Sequence, residues 1–281
     1  MKYKVIGDSC CDYAAAGLEN IPIERVSLTL RVDNEVFLDT EELDTAALLE
    51  KMRAAKKAPS TACPSIAQFV EAFEGEEEDI YVVTLSAQLS GTYNSACRAA
   101  EIYNEEVGKK NIHIFNSRSA AAGEIAVCLK ILELAGQGLP FEEVVSQAEA
   151  FIDGLTTLFV LEDLSVFAKS GRLNHLQALA TDKLKIKLVM GGTPEGVIYK
   201  CATALSIKQA LAKMVNILAE KAKATDASLR TLVVTHCNCL DRAEFVVNKL
   251  KSLCRFKAVC ICRASGVSTV YANNGGVIVG F

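Results

Sequence analysis

The stretch Leu85-Ser86-Ala87-Gln88-Leu89-Ser90-Gly91-Thr92-Tyr93 carries the sharpest chemical pattern in the sequence. It follows the β-branched apolar run Ile80–Leu85 and precedes residues with helical spacing from Gly91 to Tyr103. Strand, hydroxyl-rich loop and helix in that order put the loop beyond the C-terminal edge of a sheet, where open α/β folds bind ligands. The helix start would aim unpaired N–H groups and the positive end of its dipole at that point. Ser90 adds a hydroxyl, and Gly91 permits close approach to the backbone. The combination suits a carboxylate or a phosphate; the plainer alternative is that Ser90 only caps the helix. Ser60-Thr61-Ala62-Cys63-Pro64-Ser65 is a second hydroxyl-rich turn, expected at the start of a helix running to Phe73. Pro64 suits the first helical turn, with Thr61 or Ser65 as the cap. This turn becomes a binding element only if it lies beside the first.

Other reactive residues form weaker patterns. His236-Cys237-Asn238-Cys239 lacks the second ligand pair that zinc sites draw from a separate segment, so no metal site is expected there. Asp8 and Asp12 flank one turn and read as turn formers. Cys10-Cys11 and Cys260-x-Cys262 have no resolving partner. The three histidines, His113, His175 and His236, join no nucleophile elbow, and neither a dinucleotide fingerprint nor a phosphate-binding P-loop occurs. No catalytic set and no cofactor are expected.

Alternating strands and helices must position the two hydroxyl turns. The first half reads as a strand at Lys4–Ile6, strands Val26–Val32 and Val36–Leu38 around the hairpin Asp33-Asn34-Glu35, and a helix over Thr45–Ala54. Strand Ile80–Leu85, helix Gly91–Tyr103, strand Asn111–Phe115 and helix Ala120–Ala135 follow, then a helix from Pro140 to Gly154. This alternation predicts a mainly parallel sheet covered by helices. Beyond Gly154–Thr157 the pattern changes to a short strand Leu158–Leu161 and a helical or irregular stretch Leu164–Leu184. A hairpin of Lys185–Met190 with Val197–Ala202 comes next, then helix Ser206–Lys223, the series Arg230–His236, Asp241–Cys254, Ala258–Ala264, and a last strand Val277–Phe281. The expected fold is α/β with two domains, residues 1–155 with a mainly parallel sheet and residues 156–281 with a mixed sheet.

Bulk properties narrow the setting. The 281 residues carry a net charge of -4, with 51% hydrophobic and 23% charged residues, and a pI of about 5.6. No basic footprint for nucleic acid is present. No apolar run is long enough to span a membrane, so no stable membrane insertion is expected. The basic N-terminal start lacks the long apolar stretch of a signal peptide. The 11 cysteines scatter as buried thiols do in a reducing compartment, which predicts a cytoplasmic protein.

Six segments in register resemble the DegV family of bacterial fatty-acid-binding proteins. Asp8-Ser9-Cys10-Cys11-Asp12 is similar to that family's opening Asp-Ser-Thr-Ser-Asp, Thr61-Ala62-Cys63-Pro64-Ser65 to its Thr-Ser-Gln-Pro-Ser turn, and Leu89-Ser90-Gly91-Thr92-Tyr93 matches its motif outright. Asn116-Ser117-Arg118-Ser119, Ser170-Gly171-Arg172-Leu173 with Leu184-Lys185-Ile186-Lys187, and His236-Cys237-Asn238 complete the set. The resemblance implies a non-catalytic carrier that encloses one long-chain fatty acid. Thr61 and Ser90 would bind its carboxyl group, with Gly91 and Thr92 at the helix start and Ser9 and His236 standing behind. It also implies a fatty-acid kinase as partner, contacted by the Arg172 loop. The rival reading is an enzyme acting on a small acidic metabolite held in the same anion pocket. Two departures stand out: the family's Arg after the second-domain hairpin is absent near Ala202, and its His is absent near Ala272. Without both groups, the acid is expected to bind in its protonated form.

Overall fold

The computed structural model describes residues 3–12, 21–173 and 186–281. His175, Leu184 and Lys185, singled out above, lie outside the described residues. A parallel sheet of order β2-β1-β6-β7 forms from β1 (Tyr3–Asp8), β2 (Ile23–Val26), β6 (Asp79–Thr84) and β7 (Asn111–Asn116). β6 is buried along its whole length, as expected of a central strand apolar on both faces. Between β2 and β6 the chain builds a small antiparallel sheet, β4-β3-β5, from β3 (Thr29–Val32), β4 (Glu35–Leu38) and β5 (Ser60–Ala62). Helices α1 (Thr45–Ala54) and α2 (Ile66–Ala72) flank β5 in the chain.

The second sheet is mixed, with order β10-β9-β8-β13-β11-β12. Its strands are β8 (Thr157–Val160), β9 (Lys187–Gly192), β10 (Ile198–Ala204), β11 (Thr231–His236), β12 (Ala258–Arg263) and β13 (Val277–Gly280). β11 and β12 run parallel, joined by α8 (Leu240–Leu253); the other neighbours are antiparallel. Helix α7 (Ile207–Ala224) covers this sheet with a buried face of Leu211, Met214, Val215 and Leu218. The two-domain α/β architecture, a parallel sheet followed by a mixed one, agrees with the expectation.

Helix α4 (Ala122–Gly136) joins the halves. It is apolar nearly all round and therefore buried, packing on β1 and β6 on one side and on β11 and β13 on the other. The approach is close because two glycines meet: a Cβ on Gly280 would lie 2.6 Å from the Gly123 backbone.

Three expectations need correction. Val26–Val32 is not one strand. The chain breaks at Ser27-Leu28, where Leu28 N–H donates to Ser9 Oγ at 3.0 Å, so β2 joins the main sheet and β3 the small one. Thr61 sits in β5, paired with Leu30, rather than in a turn at a helix start. Pro64 precedes the α2 cap rather than opening its first turn. Ser65 is that cap, forming a reciprocal capping box with Gln68. In addition, Gly266–Ala272 forms a helix, α9, that the sequence reading did not anticipate.

Candidate functional site

The C-terminal ends of β1, β6 and β7 converge on a set of loops stapled by side chains. Asp8 accepts Cys10 N–H with one carboxyl oxygen and Leu85 N–H with the other, both at 2.8 Å, so the β1 turn holds the end of β6. Asn116 Oδ1 accepts from Ala87 N–H and Arg118 N–H at 3.1 Å each. Ser86 Oγ donates to Gly196 O at 2.9 Å, fastening the β6 loop to the hairpin of the second sheet. Asp39 caps α9 through Gly266 and Val267 N–H at 2.7 and 2.8 Å. These staples fix the elements that surround one cavity.

A narrow cavity of about 100 Å³ lies between these elements. Its walls are mainly apolar: Leu28, Leu85 and Leu89 from the first half, Phe159, Leu161, Ile198, Val267 and Ile278 from the second. Thr61, Ser90, Arg172 and Tyr271 border it as well, and contacts link them into one polar end. Thr61 Oγ1 lies 2.9 Å from Tyr271 Oη. The Arg172 guanidinium stands 5.9 Å from the centre of the Tyr271 ring and donates through Nε to Leu89 O at 3.0 Å, immediately before Ser90. The Tyr271 ring also packs on Phe167, with centroids 4.9 Å apart.

The polar end draws on four distant segments. Ser90 comes from the loop between β6 and α3 (Thr92–Ile102). Its hydroxyl accepts Thr92 N–H at 3.3 Å and lies 2.9 Å from Thr92 Oγ1, while Gly91 occupies the cap position without a side-chain bond. Gly91 and Thr92 do not border the cavity; the buried Thr92 hydroxyl orients Ser90 instead. Cys63, two residues beyond Thr61, lies against this helix start, close to Gly91 and 3.8 Å from Ser95 Oγ. The two hydroxyl turns therefore meet at the same place.

Ser9 is buried and holds Leu28, a wall residue. His236 does not border the cavity. Its Nδ1 accepts Cys239 N–H at 3.2 Å within the β11–α8 turn, and burial with the neighbouring Arg263 charge pushes its pKa down. Cys237 and Cys239 turn to Thr269 and to Gly276 O rather than towards His236. Arg172, expected in an outward partner-contact loop, brings a cation to the cavity despite the departure near Ala202. Tyr271 was missed altogether. It sits beside Ala272, where the family pattern would have placed a histidine, and it reaches the site only because the chain coils there into α9.

A parallel α/β domain and a mixed-sheet α/β domain that share a mainly apolar cavity define a class of two-domain proteins. Within that class, the chain belongs to the DegV family: the family model described as "Uncharacterised protein, DegV family" matches residues 2–281. A DegV domain-containing protein of Streptococcus pneumoniae is 32% identical over 284 residues, covering 100% of this chain and 99% of the relative. One of Streptococcus gordonii is 30% identical over 289 residues, with 100% and 99% coverage. Among solved structures, a DegV family protein from Ruminococcus gnavus refined with vaccenic acid superposes with TM-score 0.95 at 40% identity, covering 100% of this chain and 99% of that one. The Streptococcus pneumoniae Fatty Acid Kinase B3 protein loaded with linoleic acid gives TM-score 0.91 at 31% identity, again with 100% and 99% coverage.

Proposed function

We propose that this protein is a non-catalytic carrier that encloses one long-chain fatty acid. The acyl chain runs through the apolar cavity and the carboxyl group meets Thr61, Ser90 and Tyr271. The single observation that carries the reading is the juxtaposition of a mainly apolar wall with one cluster of hydroxyls beside Arg172. A small acidic metabolite would leave most of that wall facing water, so the geometry favours a tail with a polar tip over the metabolite-enzyme reading. Each methylene removed from water contributes about 0.8 kcal/mol, so a 16-carbon chain gains on the order of 10 kcal/mol before ordering costs. The head group must then be compensated, because a buried carboxylate without partners would cancel much of this. Hydroxyl donors and the nearby guanidinium supply that compensation, so the acid is held ionised rather than protonated.

The resemblance to the kinase-associated relative supports a second part of the reading: the loaded protein presents its fatty acid to a fatty-acid kinase, with the Arg172 loop at the contact. Residues 1–155 and 156–281 are the two domains, and the protein works in the cytoplasm. Among the described residues no helix is long and apolar enough to cross a membrane. Native mass spectrometry of the purified protein tests the carrier reading. A retained fatty acid is expected, and the pair Thr61→Val, Ser90→Ala is expected to lose it while keeping the wild-type circular dichroism. Retention unchanged in the pair would refute the assignment of the polar end.

A further inference from the structure

Directly behind the cavity wall, three ligand-type side chains converge. Asp8 ends β1, Cys10 lies in the turn that follows, and Glu124 stands in the first turn of α4. One donor atom from each lies within 4.8 Å of the others. All three are buried, Asp8 and Glu124 completely. Asp8 already accepts two backbone N–H groups, which leaves one lone pair free on each oxygen. Cys10 Sγ makes a long 3.9 Å approach to Ser268 Oγ and lies by the Ala121 N–H. Glu124 is the unusual member: no donor of the surrounding protein reaches either carboxyl oxygen, and its one polar neighbour is the carboxyl of Asp8.

Such a group cannot stand as three anions. Burial, aided by the charge of Asp39, drives the pKa of Asp8 up to about 7, and burial with the neighbouring acids Asp8 and Asp12 drives those of Cys10 and Glu124 well above their ordinary values. Two carboxylates bond each other only through something positive. A shared proton would engage one oxygen of Glu124 and leave its second oxygen without a partner. A metal ion would engage all three groups at once. Two oxygens and one sulfur disfavour magnesium and calcium, which take oxygen ligands, and suit zinc, which accepts both donors.

We propose that Asp8, Cys10 and Glu124 form a buried site for one divalent transition cation of the zinc class. Binding displaces the thiol proton of Cys10 and the proton held by the two carboxyl groups, so affinity rises with pH. The site is part of the cavity wall: Cys10 borders the cavity, as do Ala120 and Ala121 just before α4. A bound cation ties the β1 turn to α4 and so stiffens the surface on which a ligand rests. Lipid binding as proposed above does not depend on it.

The test uses the full chain without an affinity tag, reduced and washed with chelator, and cobalt(II) alone as an optical probe. One cobalt per chain is expected, with thiolate-to-metal charge-transfer absorption that zinc(II) abolishes by competition. Cys10→Ser should remove that absorption, and Glu124→Gln should weaken binding about tenfold or more. Both substitutions nearly conserve shape, and circular dichroism checks the fold of each. If the wild type takes up no cobalt, or if both variants take it up unchanged through other cysteines, the site does not exist. Infrared spectra of the wild type supply a check independent of the variants: a protonated buried carboxyl that persists under saturating zinc would overturn the proposal.

Discussion

Replacing Tyr271 by Phe deletes one oxygen from the polar end and little else. The ring keeps its packing on Phe167 at 4.9 Å and its place under the Arg172 guanidinium at 5.9 Å. What goes is the 2.9 Å contact with Thr61 Oγ1. Without ligand that contact joins two neutral, half-buried hydroxyls, and its loss should cost the fold about 1 kcal/mol or less. With a carboxylate in the cavity the hydroxyl either donates to it or holds Thr61 so that Thr61 can. A hydrogen bond to a charged group is worth about 1.5–3 kcal/mol, so fatty-acid affinity should fall by about 10- to 150-fold. Displacement of a fluorescent fatty acid from delipidated protein measures this, and a thermal melt of the same sample reports the fold. Thr61→Val and the double variant complete a cycle in which the two losses should be clearly less than additive, since the hydroxyls act as a unit. Wild-type affinity in Tyr271→Phe, or strictly additive losses, would refute the arrangement.

Infrared spectra of carboxyl-labelled fatty acid should show an ionised head group at neutral pH in the wild type and a protonated fraction in Arg172→Met; a protonated head in the wild type contradicts the role given to Arg172. Gly123→Val should destabilise the fold by at least about 1–3 kcal/mol through overpacking, read as a lower urea midpoint, because a Cβ there falls on Ser119 Oγ and Thr157 Oγ1. Partial burial alone would raise Glu162, but Lys187 at 2.7 Å and Arg242 at 2.8 Å together hold its pKa below the ordinary value. A carboxyl depressed in the folded state contributes stability above its unfolded pKa and loses it as pH falls through the folded one. Glu162→Gln should therefore be less stable than the wild type near pH 7, with the gap closing below about pH 4; a gap that does not change with pH would show that packing, not charge, is at work.

The sequence signals that proved readable were local ones. The β-branched run ending at Leu85 and the Ser90-Gly91 break after it sit within ten residues of each other, so strand, loop and helix were all legible. Thr61 was recognised as a hydroxyl of interest, but not as part of a strand. A three-residue strand has no period of its own, and β5 exists because β3 offers Leu30 as its partner. The division between β2 and β3 was hidden for a similar reason: apolar residues continue through Val26–Val32, and the turn is imposed by Ser9 from outside the segment. Gly266–Ala272 carried no readable helix signal. Val267, Thr269, Val270 and Tyr271 favour strands by type, yet Asp39, 227 positions away, receives the first N–H of α9 and helps set the coil. Tyr271 and its hydroxyl could be placed only through that distant carboxylate.

The same long-range staples bring together a cavity that no single element could form. Its polar end is assembled from β5, the start of α3 and α9, while much of its apolar wall belongs to the second sheet. No single element contains the site, so a ligand filling it would bridge both sheets and add its binding energy to their docking. By linkage, a ligand present at a hundred times its dissociation constant stabilises the folded state by about 2.7 kcal/mol. Release then requires only that the polar end open. The hydroxyls of Thr61, Ser90 and Tyr271 each trade one hydrogen bond for another with water at little cost, whereas a dry ion pair would not. Hydroxyl-rich ligation with a single neighbouring guanidinium therefore suits a protein that must hold an acyl chain firmly and still surrender its head group.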